Sequence, residues 1–229
     1  MSVILESANE EYLYVVNPIV ATLPVSISAW FKLTANDETV VCISDPITGT
    51  DYRELGVNAS DNTHALSVES DGEGSDGDTV AGWSSGTWFF AVAVFATSTS
   101  RTIYLNDTDG GGQTNENNPD NLTDFAIGRR HDLTPAKFCN GSIAEVAVWD
   151  MALSGADVAS LYASGAGTPA TNVQSGNLVG YWPLISGPTA TVGTNLSENG
   201  TISYNAGDHP VTHAAAGDVV TITGAYELA

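Results

Sequence analysis

The sequence predicts an all-β sandwich or jelly roll with one short helix near residues 154–164. Three observations carry this. Short segments with period-2 hydrophobic alternation recur along the 229 residues, separated by turns rich in Gly, Asn, Asp and Ser. Helical spacing of apolar residues stands out in a single place, just after Ser154. Charged residues make up only 14% of a chain that is 42% hydrophobic, which is ample to build a sizeable core.

Taken in order, Tyr12–Val16 is the first strand candidate. Val25–Leu33 alternates well, with Val25, Ile27, Ala29, Phe31 and Leu33 on one face and Ser26, Ser28, Trp30 and Lys32 on the other. Thr39–Ser44, Arg53–Ser60 and Ala65–Ser70 follow. Trp88–Ala96 is apolar on both faces, so both must be covered. The cover is either the chain's own loops and helix or a partner that meets Phe89 and Phe95. Arg101–Asn106 and Phe125–Arg129 come next. In Ser142–Asp150, the alternation predicts that Ala144, Val146 and Val148 share one face. Ser154 is then the expected N-cap of the helix, Asp157 sits in its first turn, Val158, Leu161 and Tyr162 have helical spacing, and Gly165 offers a stop. Leu178–Leu184, Thr201–Asn205 and Val219–Tyr226 read as extended. A Gly-Asp-His-Pro break ends the predicted sandwich at residue 208. His209–Ala229 is expected to be a C-terminal arm or added edge strand, with Val219 and Ile222 as interface candidates.

The charge balance is lopsided, with 27 Asp plus Glu against 6 Lys plus Arg and a net charge of -21. That excludes nucleic acid as a partner, since a phosphate backbone needs a basic face, and it disfavours anionic membranes. It suits cation binding or a salty medium that screens self-repulsion. No apolar run approaches the length of a membrane span. The N-terminal Met-Ser-Val-Ile-Leu-Glu-Ser lacks the basic start and long apolar core of a secretory signal. Cys42 and Cys139 lie in or beside strand-like segments, either as a disulfide or as two buried thiols.

Five segments in order resemble the laminin-G-like group of the concanavalin A-like lectin/glucanase superfamily. They are Val25-Ser-Ile-Ser-Ala-Trp-Phe31, Trp88-Phe-Phe-Ala-Val-Ala-Val94, Ile103-Tyr-Leu-Asn-Asp107, Ile127-Gly-Arg129 and Asn140-Gly-Ser-Ile-Ala-Glu-Val-Ala-Val-Trp-Asp-Met-Ala-Leu-Ser154. Together they span about residues 8–165. The resemblance implies a two-sheet antiparallel jelly-roll sandwich. Leu178-Val-Gly-Tyr-Trp-Pro-Leu184, with Asn195-Leu-Ser-Glu-Asn-Gly200, resembles the family's usual opening, yet it stands after the domain. It is expected to close a sheet edge.

Relatives in that superfamily hydrolyse glucans with a strand-borne Glu-x-Asp-x-x-Glu set. Hydrolysis needs two carboxyl groups about 5–9 Å apart across the bond. The motif is absent here, and Glu145 and Asp150 would face opposite ways on a regular strand. The sequence also lacks a Gly-x-Ser-x-Gly elbow, a His-Glu-x-x-His motif and a phosphate loop. His64, His131, His209 and His213 are scattered, and Pro210 between the last two argues against a shared helical face. No catalytic site is therefore expected and no cofactor is required. The resemblance implies that a metal, if bound, would be calcium at a loop rim. Its candidate ligands are Asp107 and Asp109 in one polar loop, and Asp71, Glu73, Asp76 and Asp78 in another. Trp30, Trp83, Tyr104, Trp149 and Trp182 are the available aromatics; the resemblance implies core places for the strand aromatics Trp30, Trp88 and Trp149, and Trp83 and Tyr104 are the candidates for a sugar platform.

The composition, the unsignalled start and the implied fold lead to a first expectation. It is a non-catalytic virion surface protein of a bacteriophage, as a capsid decoration or tail-fibre adhesin, with capsid or tail proteins as partners. The alternative is an extracellular or cell-surface carbohydrate-binding lectin module, with surface glycans as partners and calcium as the ion. Either would form a homo-oligomer or sit in a larger assembly.

Overall fold

The computed structural model describes residues 2–35, 38–47, 51–58, 65–70, 79–114, 119, 121–130, 136–205 and 207–213. Among these, strands numbered in chain order build two antiparallel sheets. The first sheet runs β10 (Thr108–Gln113), β9 (Ser100–Leu105), β8 (Phe89–Thr97), β3 (Val25–Leu33), β12 (Gly141–Trp149), β1 (Ser2–Leu5), β15 (Ser203–Asn205), and β13 (Leu178–Trp182) also pairs with β12. The second runs β14 (Ser197–Asn199), β2 (Tyr12–Val15), β11 (Asp124–Ile127), β4 (Glu38–Ser44), β5 (Tyr52–Asn58), β6 (Ala65–Ser70), β7 (Thr79–Ala81). The architecture is a jelly-roll sandwich.

Alternation along the strands fills the space between the sheets. Ile27, Ala29 and Phe31 of β3, Ala91, Ala93 and Phe95 of β8, and Val146 and Val148 of β12 meet Val41, Ile43, Leu55, Phe125 and Ile127 of the second sheet. Each large side chain buried in this way contributes about 1.5–3 kcal/mol. The other face of the first sheet is covered too. Trp30, Phe90, Val92, Val94, Ala147 and Trp149 pack under the helix α1 (Gly155–Tyr162) through Val158 and Leu161, and under Tyr181 and Val211. The doubly apolar strand β8 is therefore enclosed by its own chain. Phe95 is 1% exposed between the sheets, and Phe89 stacks on Phe31, so neither side chain forms an open interface. Val219 and Ile222 lie outside the described residues.

The helix forms as its local signals dictate. Asp157 N–H donates to Ser154 Oγ at 3.3 Å, and Ser154 N–H donates to Asp157 Oδ2 at 2.9 Å, which is a capping box. Its C-cap is Ala163, in the left-handed region at φ 48°, rather than Gly165.

Strand β12 departs from the expected alternation. Its register with β3 shifts between Ala144 and Ala147, and Glu145 has φ 55°. This β-bulge turns Ala144 onto the outer face beside Glu145, while Val146 and Val148 face inward. The bulge lies where the neighbour of β12 changes. Val3–Leu5 of β1 pair with Gly141–Ile143, and β13 pairs with Val146–Trp149. Gly141 is required at the start of the strand, because a Cβ there would lie 2.3 Å from the Lys32 carbonyl oxygen.

The segment that resembles the family's opening closes edges of both sheets. β13 joins the first sheet, Trp182 stacks on Phe125 at 4.8 Å, and β14 joins the second sheet beside β2. Packing then continues past residue 208. Asp208 accepts from Lys32 Nζ and, at 2.7 Å, from Trp88 Nε1, and Val211 is buried on the outer face.

Candidate functional site

The structure separates the two aromatic candidates. Trp83 is 3% exposed, and its ring meets Phe31 edge-on with centroids 5.9 Å apart. It belongs to the core between the sheets and presents no face to a sugar. Tyr104 is half-buried at the margin of the cluster on the opposite side of the first sheet. Burial, and then the charge of Asp109, raise its hydroxyl above the ordinary value. The two rings therefore form no common platform.

The acidic candidates are also reordered. Residues 106–107 make a tight turn between β9 and β10, so Asp109 lies within a strand opposite Tyr104 instead of in a long loop. Asp107 and Asp109 are exposed, and Asp109 Oδ1 accepts from Gly111 N–H at 2.8 Å. Asp71, Glu73, Asp76 and Asp78 lie outside the described residues. Cys42 and Cys139 are buried thiols rather than a disulfide, and Cys139 Sγ donates to the Thr39 carbonyl at 2.9 Å. Burial pushes the Cys139 thiol up, and the nearby Glu38 and Glu54 carboxyl groups push it further.

One end of the sandwich carries a cleft of about 650 Å³. It is lined by Ala21, Thr22 and Leu23 before β3, by Ala96, Thr97 and Ser98 at the β8–β9 turn, and by Pro119 and Asn121 before β11. The fully buried Arg53 supports this rim from below, donating from Nη1 to the Ala21 carbonyl at 3.0 Å. The lining therefore mixes hydroxyl and amide side chains with small aliphatic surfaces. Among the described lining residues there is no carboxylate or imidazole.

A second constellation sits on the outer face of the first sheet, and sequence reasoning missed it. Glu145, His209 and His213 bring one carboxylate oxygen and two ring nitrogens within 4.8 Å of one another. Glu145 Oε1 lies 3.2 Å from His209 Nε2 and 2.5 Å from His213 Nε2, while Oε2 accepts from the Tyr181 hydroxyl. His209 Nδ1 is 2.8 Å from the Val211 carbonyl, and its Nε2 is 3.0 Å from the Pro183 carbonyl. Burial alone would raise the Glu145 carboxyl, but hydrogen bonds from His209, His213 and Tyr181 outweigh it and hold the group below its ordinary value. Burial pulls His209 down, while Glu145 and the two carbonyls more than reverse this and hold the imidazole above its ordinary value. Burial and the adjacent carboxylate both raise the Tyr181 hydroxyl. The histidines sit in a loop rather than on a helix, and the bulge at Glu145 aims the carboxylate at them. Asp150 is exposed just past the far end of the strand and accepts from Asn177 Nδ2 at 2.9 Å.

Comparisons with known proteins agree with this architecture. A family profile of the laminin G type, described as the concanavalin A-like lectin/glucanases superfamily, matches residues 7–159. Among solved structures, the chain is similar to a native heptameric SAP-like pentraxin from Limulus polyphemus, with TM-score 0.64 and 14% identity over 88% of this chain and 93% of that one. It is also similar to domain 4 of an extracellular arabinanase from Geobacillus stearothermophilus in complex with arabinotriose, with TM-score 0.57 and 19% identity over 69% and 75% of the two chains. A third likeness is to the CBM40 module of a Ruminococcus gnavus sialidase bound to α2,3-sialyllactose, with TM-score 0.51 and 12% identity over 61% and 82%. A search of characterised protein sequences finds no significant match.

Proposed function

This chain belongs to the concanavalin A-like lectin/glucanase superfamily, and from that premise we propose that it is a non-catalytic carbohydrate-binding module that works outside the cell. The rim cleft carries the reading. A sugar presents hydroxyl groups around apolar C–H faces. Thr22, Thr97, Ser98 and Asn121 supply donors and acceptors for the former, and Ala21, Leu23, Ala96 and Pro119 supply apolar surface for the latter. The described lining residues are sugar-contacting groups, with no carboxylate among them. Two of the similar structures hold an oligosaccharide, which supports the same class of ligand. The expectation of a capsid or tail role drew on composition and on the N-terminus. None of the similar proteins named above is a virion component, and the lectin-like alternative has the better support.

The test is a glycan array followed by calorimetric titration of the best ligands, with arabino-oligosaccharides and sialyllactose included. Binding with Kd at or below about 1 mM is expected. Asn121→Ala and Thr97→Val should each weaken it roughly tenfold, the loss of about one hydrogen bond. If no glycan binds in that range, or the double variant binds as well as the parent, the cleft is not the site. EDTA in the same titration reads calcium dependence, with Asp107 and Asp109 as the exposed carboxylates to substitute.

A further inference from the structure

We propose that Glu145, His209 and His213 form a site for a divalent first-row transition metal of the zinc type, which ties the C-terminal segment to the outer face of the first sheet. The site shares no described residue with the rim cleft and does not depend on the glycan reading.

The donor set comes first. One carboxylate and two imidazoles suit zinc and its neighbours, whereas calcium takes oxygen ligands. Geometry comes next. Tetrahedral zinc with bonds of about 2.0–2.1 Å has ligand–ligand edges of about 3.4 Å. The Glu145 Oε1 to His209 Nε2 edge is 3.2 Å. The Glu145 to His213 edge, at 2.5 Å, must open by somewhat under ~1 Å to reach the same length. His213 has room to move, since its side chain is 23% exposed, and the same exposure gives an ion its way in.

Orientation is the third argument. The Val211 backbone holds the Nδ1 edge of the His209 ring, with the carbonyl at 2.8 Å and the N–H at 3.2 Å, and this turns Nε2 toward Glu145. Two acceptors, the Glu145 carboxylate and the Pro183 carbonyl, then face that nitrogen. A hydrogen on Nε2 satisfies these acceptors when no metal is bound, and a metal ion that displaces it meets the same carboxylate oxygen. Tyr181 holds the second carboxylate oxygen, which fixes the ligand plane from behind. Finally, Glu145 occupies the left-handed region at φ 55°, an uncommon conformation for a residue with a side chain, and one that aims the carboxylate into the cluster.

The experiment titrates the full chain with Zn²⁺ against a chromophoric chelator in the presence of millimolar Ca²⁺, and separately with Co²⁺ followed by visible absorption. One Zn²⁺ per chain is expected, resistant to calcium, with the intense visible bands of four-coordinate Co²⁺ and a melting temperature that rises with zinc. His213→Gln and Glu145→Gln should each lower zinc affinity by at least tenfold and abolish the cobalt bands. His213→Gln lies at the exposed margin, and circular dichroism verifies that it folds, so it decides the matter if the buried variant does not fold. Zinc binding that survives His213→Gln unchanged, is displaced by calcium or gives no cobalt bands would overturn the proposal, leaving a hydrogen-bonded anchor.

Discussion

Glu145 and Glu38 are 4% and 3% exposed, yet burial leaves them in opposite states. Glu145 lies at the bulge of β12 with two imidazoles and a phenol around it, and its carboxyl is held below the ordinary range. Glu38 begins β4, and burial pushes its carboxyl up to about 8, opposed only by the backbone of Asn140. Its Oε2 has no hydrogen-bond partner among the described residues. The contrast shows that depth alone does not set ionisation. The first sheet keeps a negative charge because a segment 68 residues further along the chain brings His213 onto it. Among the described residues no partner reaches Glu38 Oε2, and burial favours the protonated acid there.

Removing Glu145 is the most severe way to break this comparison. Glu145→Ala leaves two imidazoles and the Tyr181 hydroxyl without their shared acceptor, and losing one member of a buried pair costs about 3–5 kcal/mol. Urea denaturation at pH 7 is the measurement, and the midpoint should fall with the slope unchanged. A shift near zero would mean that the cluster is open to water in solution and that the two glutamates do not differ as described.

Glu38 gives the next effect through pH. Its folded value is raised above the unfolded one, so the native state holds the proton more tightly. The stability this confers is fully present below about pH 4.5 and is lost as pH rises through about 8. The difference between wild type and Glu38→Gln isolates it from other titrating groups. The wild type should lose stability relative to the variant between those limits, by an amount of the order of a few kcal/mol. Parallel curves from pH 4 to 9 would show that Glu38 titrates normally.

The fold was legible because its signals are local. Alternation in Val25–Leu33 and the Ser154–Asp157 cap need only neighbouring residues, and both are as expected in the structure. The misses have long-range causes. Trp83 sits in a Gly- and Ser-rich stretch that reads as surface. That stretch is tied to the end of β3, with Gly86 N–H donating to the Leu33 carbonyl at 2.9 Å, and the indole is inserted between the sheets. The bulge at Glu145 has no glycine to announce it, so the alternation placed Ala144 on the wrong face. The strands β1, β7, β10 and β14 were not anticipated, and three of them have at most four residues, too few to display a period. The Glu145–His209–His213 cluster joins residues that no sequence spacing connects, and only the Gly-Asp-His-Pro break hinted that the chain changes course there.

The smallest effect tests whether the outer layer, which carries Glu145, can loosen independently of the second sheet, which carries Glu38. Helix α1 covers that layer through Val158 and Leu161, and its first turn depends on the Ser154 hydroxyl. Ser154→Ala removes the acceptor for Asp157 N–H and should cost about 1 kcal/mol. For a domain of this size that is a fall of about 2–4 °C in melting temperature. Hydrogen exchange locates the loss. Amides of residues 155–162 should exchange faster while those of β4 and β5 keep their protection, because the helix packs on the first sheet and not the second. Equal acceleration in both regions would mean that the two layers open as one unit, and the separate fates of the two glutamates would then rest on local partners alone.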